Sequence, residues 1–572
     1  MTGVKEWDGD NYASQFPVFL LDLDWDGVVY RLATVPITIQ DTRESDATNI
    51  QYHGGLGEVE WEHSIDVTGS SAGGVSIPLS VILPENVNLY QEVIVNGHSL
   101  ASATGELSVI LVDWNNKAGE VFNGQPVSYA DRIPIVRGHL SQPVFGYPDD
   151  ISRCDFSLEN LAPSDIKTLI PSRAVVSFTT YPHAPDDTFG KVYPFVIGSP
   201  GVVRLNDGVS PWNLKTVAGS PAYMVIDQIV SPGNENKSLM VAGHPVAADK
   251  VTIIDADGAQ EKFDIYENLD RLGRMVSLVR IEGASTISLT SGTYYASWTD
   301  GGGLVSPETN NEITYLGDVL IWAFRNTAGV DISKWIAERP VLNRIKVDTY
   351  LNDPTITPYE WVRNNFLDLV GLQLRDGPFG VSPSTRIPTT DTERKVATII
   401  EGPDFAAVGP IVSQTELTDI INTVTLQYAP SAQSATDYRR TITISDDPGD
   451  SAENDWVWAS AYTWQQGDPD AYSNAYAVLS ASRYGVRSET IEAPWIYDES
   501  SAGLLISERV RNKGFMLRTR DYEASPAMGW LLVGDFIVLS SDDGDTLVEI
   551  VGKSWDGLGW SFTVLLSEDP LS

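Results

Sequence analysis

The chain has 572 residues, 42% of them hydrophobic and 20% charged, which is the make-up of a folded protein of three or four domains rather than a disordered one. Its formal net charge of −39 argues against a protein that grips nucleic acid through phosphates, and Arg439-Arg440 is the clearest adjacent basic pair. A single cysteine, Cys154, excludes an intramolecular disulfide, the start from Met1 to Trp7 lacks the pattern of a signal peptide, and apolar runs such as Val319 to Phe324 are too short to span a bilayer.

The first marked element is Asp22-Leu23-Asp24-Trp25-Asp26-Gly27, which matches the opening half of an EF-hand calcium loop. Such a loop needs a bidentate Glu at its twelfth position, and that position is Ala33. Phe19-Leu20-Leu21 before it and Val28-Val29-Tyr30 after it are strand-like, so a hairpin turning at Asp26-Gly27 is expected. Glu58, Glu60 and Glu62 alternate with Val59 and Trp61 and would share one strand face. Paired carboxylates could serve glycoside hydrolysis, but a solvated face is the simpler reading. Gly69-Ser70-Ser71-Ala72-Gly73 has the spacing of a nucleophile elbow, yet the following Gly74 to Val81 reads as a strand where that chemistry needs a helix. A flexible connection is expected.

Strands are expected at Leu107–Val112 and Val251–Ile254, with turn signals at Asp207-Gly208 and Asp257-Gly258. Gly301-Gly302-Gly303 lacks the Lys-Ser/Thr of a phosphate loop and reads as a flexible loop. Thr357-Pro358-Tyr359-Glu360 is a capping box with Pro at the first helical position. It predicts a helix to about Val370, ended by Gly371, with Val362, Phe366, Leu369 and Val370 on one face. Asn422 to Tyr428 alternates strictly and predicts a strand burying Val424, Leu426 and Tyr428. Thr441–Ile444, Gly514–Arg518 and Asp535–Leu539 are further strands, with turns at Asp543-Gly544 and Asp556-Gly557. A helix from Asp468-Pro469 to near Gly485 should bury Tyr472, Ala475, Tyr476 and Leu479, and another should span 501–512 with Gly514 past its end. Shorter helices are expected at Ser164–Leu169, Leu316–Asn326 and Thr415–Ile421.

These elements divide into an N-terminal β domain over 1–180, a β-rich module over 181–310 that could be an insertion, an α+β domain over 311–430 and an α+β/β domain over 431–572. The six histidines, His53, His63, His98, His139, His183 and His244, form no zinc motif. Trp335, Trp361, Trp495, Trp530, Trp555 and Trp560 are scattered, so packing in a core or subunit interface is expected rather than a sugar platform. No catalytic, cofactor-binding or metal-binding residue is assigned, and no cofactor is expected.

Several phrases together resemble hub proteins of phage tails, including those of long-tailed phages and gene-transfer agents. They are Asp187-Thr188-Phe189-Gly190-Lys191-Val192-Tyr193-Pro194-Phe195-Val196-Ile197-Gly198, then Ile420 to Tyr428, then Arg483-Tyr484-Gly485-Val486-Arg487 with Ile491 to Ile496, and last Leu532-Val533-Gly534-Asp535 before Phe536 to Leu539. Their order is more telling than any one of them. The N-terminal half is also similar in layout to tail-tube β domains, with Val136 to Leu140 followed by Phe156 to Glu159. Residues 205–310 have no counterpart in the resemblance.

The resemblance implies a mostly β, multi-domain chain with α+β domains, whose tail-tube-like β domains form a ring. It implies a structural virion protein rather than an enzyme, assembled in the host cytoplasm as a homotrimer that closes the distal end of the tail tube. Its partners would be the distal tail protein, the tape measure protein and a central fibre or spike. An acidic lumen would let DNA pass without sticking. The alternatives are a distal tail ring protein, a hexamer, and a β-rich carbohydrate-binding or glycan-degrading surface protein using exposed aromatics with Glu58 and Glu60.

Overall fold

The structure, a computed structural model, describes residues 5–6 and 15–566 except 26, 42–47, 65–74, 85–86, 89, 99–102, 114–119, 122–124, 142, 147, 161–174, 185, 202, 205–213, 216–220, 232–233, 256–259, 262–263, 281–293, 307–308, 326–329, 352–356, 378–379, 386–394, 431–437, 448–454, 460–461, 467–470 and 542–543. It is mostly β, in several sheets and several domains.

The N-terminal sheet is built on Gln15–Trp25, which pairs antiparallel with Thr104–Asp113 on one side and Val28–Ala33 on the other. Trp25 pairs with Val28, so the chain reverses where a hairpin is expected, with Gly27 at φ +90°; Asp26 lies outside the described residues. Both faces of Gln15–Trp25 are covered. Phe19, Leu21, Leu23 and Trp25 enter one core, while Val18 and Leu20 enter a second with Ile39, Tyr52 and Val112. Beyond Thr104–Asp113 come Ile133–Leu140, Arg153–Glu159 and Ser76–Ile82.

The sheet then closes on itself. The Ile82 amide donates to the Gly55 carbonyl at 2.7 Å, and the Gly57 amide to the Ser80 carbonyl at 2.8 Å. A Cβ at Gly55 would lie 2.0 Å from the Ile82 oxygen, and φ there is +149°, so only glycine lets the backbones approach. Closure removes the exposed edges that an open sheet would leave.

The C-terminal sheet runs Lys395–Ile400, Phe536–Ser541, Gly544–Trp555, Trp560–Leu566, Arg518–Ala524 and Phe405–Ser413. It also recruits the N-terminal part of the chain. Lys5–Glu6 pairs parallel with Lys395–Ile400, and Trp61–Ser64 pairs antiparallel with the far end of Gly544–Trp555. The N- and C-terminal sheets therefore share one core, in which Phe19, Trp61, Trp555 and Trp560 meet; the Trp555 and Trp560 rings are 4.6 Å apart. Strands from 395–413 thus join strands from 518–566 across the expected 430/431 division.

Residues 203–298 form their own nine-stranded sheet, ending in the hairpin Ile265–Leu269 and Met275–Arg280. It is tied to the rest through Phe195–Ile197, which pairs with Thr349–Leu351. A six-stranded sheet holds Thr423–Pro430 between Tyr438–Ser445 and the parallel Ser488–Ala493. Val424, Leu426 and Tyr428 are buried in it as the alternation predicts.

The capping box forms: the Glu360 amide donates to Thr357 Oγ1, and Glu360 Oε2 accepts from the Thr357 amide, both at 3.2 Å. The α-helix Pro358–Val362 widens into a π turn over Arg363–Leu367 and stops at Gly371, φ +63°. The central helix Glu499–Lys513 starts two residues before the expected 501 and ends at Gly514 as expected.

Four expectations need correction. The helix expected from Asp468 begins at Ala475, because Asn474 is its cap; its side chain accepts the Ala477 amide at 2.8 Å. Tyr472 is buried, but on the strand Ala471–Ser473, and Ala475 is exposed. Gly514–Arg518 is not a strand; Gly514 caps the preceding helix and the strand begins at Arg518. Thr415–Ile421 holds only a 3₁₀ turn, Leu417–Asp419. Of the Asp543-Gly544 turn signal, Asp543 lies outside the described residues, and Gly544 pairs with Ser541 and belongs to the strand. The expected helix Ser164–Leu169 and the turns at Asp207-Gly208 and Asp257-Gly258 lie outside the described residues.

Candidate functional site

Two acids of the calcium-like stretch, Asp22 and Asp24, are already committed, and Asp26 lies outside the described residues. Asp22 Oδ2 accepts from Arg132 at 2.7 Å and its Oδ1 from the Tyr52 hydroxyl at 2.9 Å. Arg132 also donates to Glu106 at 2.7 Å and to Ser108 Oγ at 2.9 Å, and it lies 4.3 Å from the Tyr129 ring centroid. This is a buried guanidinium with its charge and donors satisfied by strands that the sheet brings side by side. Asp24 Oδ1 accepts the Gly27 amide at 2.7 Å and fixes the hairpin turn.

Glu58, Glu60 and Glu62 are exposed while Val59 and Trp61 are buried, so the alternation holds although only Trp61–Ser64 is paired as strand. Glu62 and His63 border a cavity of about 270 Å³ with Asp521, Glu523, Val408 and Thr563. Beneath it, Lys553 is buried. Its Nζ donates to the carbonyls of Gly529 and Leu531 at 2.7 Å each and sits 4.1 Å from the Trp560 ring centroid. Burial drives this amine down to about 7, against the opposing pull of Asp535. The group faces carbonyls and rings, so its role here is to satisfy the buried turn Pro526–Trp530 beneath the C-terminal sheet.

The glycine-rich loop is held rather than free. Glu312 accepts the Gly301 amide at 2.7 Å and the Gly303 amide at 2.6 Å. A cradle of amides that could take an anion is filled by the protein's own carboxylate. His244 is buried between strands; its Nε2 accepts the Val196 amide at 3.2 Å, and burial lowers its pKa to about 4. Cys154 is buried and its thiol is pushed up to about 12, so it is inert as a nucleophile. Among the described residues no group of three or more His, Cys, Asp or Glu is placed to hold a metal ion. The nucleophile-elbow stretch 69–73 lies outside the described residues, and Ser76–Ile82 after it is a strand.

Trp335, Trp361, Trp495, Trp555 and Trp560 are all buried, and Trp530 is half-buried. Trp335, Trp495 and Trp560 donate their indole N–H to the carbonyls of Val381, Asn365 and Pro526. These rings fill cores and offer no sugar platform.

Sequence reading missed two polar features. Glu499–Lys513 is buried on nearly every side and carries Glu508, paired with Arg344, and Arg509, which donates twice to Glu489 at 2.7 Å. Asp368 joins them through Arg509 and Lys513. The second feature is Asp348, which lies against Ser199, just before the chain enters the 203–298 sheet. Its Oδ1 accepts the Ser199 amide at 2.7 Å, its own amide donates to the Trp495 carbonyl, and burial raises its carboxyl to about 6, with Asp498 and Asp300 adding to the rise. Neither has a local motif, because the partners lie 20 positions away for Glu489 and more than a hundred for Arg344, Asp368 and Ser199.

The phrases at 420–428 and 483–496 meet in space. They supply the parallel strands Thr423–Pro430 and Ser488–Ala493. Between them lies Asn422, wholly buried, whose Nδ2 donates to the Gly485 carbonyl at 2.9 Å and to Ser480 Oγ, and whose Oδ1 accepts the Arg487 amide at 2.8 Å.

No family model and no curated protein matches the chain. Among solved structures it is similar to a chain of the virion of a native gene transfer agent particle, with 11% identity over 69% of this chain and 89% of that one and a TM-score of 0.36. It is similar to the 43 kDa tail protein of prophage MuSo2 from Shewanella oneidensis, with 11% identity over 96% and 98% and a TM-score of 0.28. A tail protein from Neisseria meningitidis MC58 has 8% identity over 96% and 97%, with a TM-score of 0.28.

Proposed function

We propose that this chain is a structural protein of a phage tail tip, a baseplate-hub-type protein that assembles as a homotrimer and closes the distal end of the tail tube. The observation that carries the reading is the joining of the two hub-like phrases, 420–428 and 483–496, into adjacent parallel strands through Asn422. Phrases that resemble one family in sequence order also form one packed unit, which scattered chance matches would not.

The chemistry supports assembly over catalysis. Asp22, Asp24 and Glu312 are used up in holding turns and a buried arginine, and Trp335, Trp361, Trp495, Trp555 and Trp560 are buried. The closed N-terminal sheet and the C-terminal sheet fused to it make a stiff β body suited to a ring. The distal tail protein, the tape measure protein and a central fibre or spike are the partners this place in the tail calls for. The charge of −39 supports an acidic passage that repels DNA phosphates; a neutral or basic lumen in the assembled particle would remove that part of the reading.

Light scattering on the purified full chain tests it. A mass of three copies is expected. Six copies would point to a distal tail ring, and a monomer at high concentration would sink the reading. So would turnover of a host polysaccharide that stops when Glu58 or Glu60 is neutralised.

A further inference from the structure

We propose that the hairpin tip between Leu269 and Met275 of one copy docks on the acidic pocket at Glu62 and Glu523 of a second copy, joining copies head to tail. This rests on the oligomeric reading above and names the contact that makes it.

The tip is built rigidly. Leu269 pairs with Met275, and Asp270 organises everything between them. Its Oδ1 accepts the amides of Leu272 and Arg274 at 2.8 and 2.9 Å, and its Oδ2 accepts the Tyr193 hydroxyl at 2.9 Å. The Asp270 amide donates to the Arg274 carbonyl, and the Arg271 amide to the carbonyl of Thr180. That second bond ties the tip to the turn carrying Phe178, which is 70% exposed and stacks on Phe189 at 4.5 Å. So the only acid in the tip is spent on its backbone and on the Tyr193 hydroxyl. Arg271 and Arg274 are exposed, with no ion-pair partner among the described residues, and Leu272 between them is 56% exposed. A fixed tip that offers two guanidiniums beside Leu and Met has the composition of an interface core. Its rigidity spares the ordering cost of docking.

The chain carries the complementary surface elsewhere. The cavity of about 270 Å³ opens between Trp61–Ser64 and the C-terminal sheet, with the exposed carboxylates of Glu62, Asp521 and Glu523 around it. Val408 on its rim belongs to the edge strand Phe405–Ser413, which has no charged residue and leaves Val408, Ile411 and Val412 exposed. The register breaks between Val408 and Val412, at Gly409-Pro410, so this edge is poorly suited to adding a strand and better suited to receiving side chains. Carboxylates beside aliphatic side chains match guanidiniums beside aliphatic side chains. A flat anionic bilayer fits less well, because the receptor is concave and a body of charge −39 is repelled by such a surface. Tip and pocket are different surfaces, so the contact is heterologous and propagates from copy to copy until it closes.

The test uses the full-length protein, with mass and dissociation followed by light scattering and sedimentation velocity. R271E/R274E and E62R/E523R should each raise the dissociation concentration at least tenfold, and the four substitutions together should restore assembly. All four side chains are exposed, and an unchanged circular dichroism spectrum and melting temperature verify folding. If R271E/R274E assembles as the wild type does, the proposal is overturned while the oligomeric reading stands. If each pair disrupts assembly but the combination does not restore it, the tip does not seat in this pocket and the proposal is overturned. A wild-type protein that stays monomeric removes both.

Discussion

Asn422, itself wholly buried, donates from Nδ2 to the carbonyl of Gly485, 2.9 Å away across 63 positions of sequence. The same side chain accepts the Arg487 amide, so one amide group holds the start of Thr423–Pro430 against the chain that leads into Ser488–Ala493. Replacement by Ala strands three polar partners, of which Ser480 is buried and the Arg487 amide half-buried. Each orphaned group costs about 1–3 kcal/mol, so Asn422→Ala should lower the urea midpoint sharply, whereas Asn422→Asp should lose only the donor side of the arrangement. Equal midpoints for Asn422→Ala and wild type would show that the strands hold without it.

Arg132 offers a second test. It is buried with Asp22, Glu106 and Tyr52. Arg132→Ala takes the cation from Glu106 and leaves Asp22 with only that of Arg31, its Nε 3.6 Å away, and breaking such pairs costs up to about 3–5 kcal/mol. Denaturant unfolding followed by tryptophan fluorescence measures it. A loss below about 1 kcal/mol would mean that water reaches these acids.

Lys553 makes stability depend on pH in a defined direction. Its folded pKa of about 7 is below the ordinary 10.5. Between those values the unfolded chain binds a proton that the folded one does not, so stability rises with pH through that window, and the burial penalty is fully present below about 7. Lys553→Met lacks this dependence. Wild-type stability should gain on the variant by up to about 1.4 kcal/mol per pH unit between neutral and alkaline pH. Parallel profiles for the two proteins would show that the amine titrates normally.

Asp348 works in the opposite sense. Its carboxyl titrates at about 6 when folded, above its ordinary 3.8, so the folded chain binds the extra proton between those values. Stability contributed by this group therefore falls as pH rises from about 4 to about 6. Asp348→Asn keeps an acceptor for the Ser199 amide and should be more stable than wild type near neutral pH, by on the order of 1–3 kcal/mol. The two proteins should converge near pH 4, and calorimetric melting at both pH values decides it.

What the sequence made legible was local. The capping box at Thr357, the alternation from Asn422 and the reversal between Trp25 and Val28 each stand within a few residues, and each formed. The helix start at Asn474 was missed because Asp468-Pro469 offers a competing start of the same kind. The burial of Glu499–Lys513 was invisible because Glu508-Arg509-Val510-Arg511 reads as a solvated face. Only the distant partners Arg344, Glu489 and Asp368 make that stretch an interior. The surfaces proposed for assembly were illegible for the same reason. Glu62 and Glu523 come together only through the pairing of Trp61–Ser64 with Gly544–Trp555.

That pairing sets a timetable for biogenesis. Trp61 finds its partner Trp555 roughly 500 residues later. At translation speeds of about 5–20 residues per second, the N-terminal sheet leaves the ribosome with one apolar flank uncovered for on the order of 25–100 s. The nascent chain cannot mature module by module from its start. It must be shielded until its final strands arrive, and a lesion near residue 555 would surface as aggregation of a half made long before it.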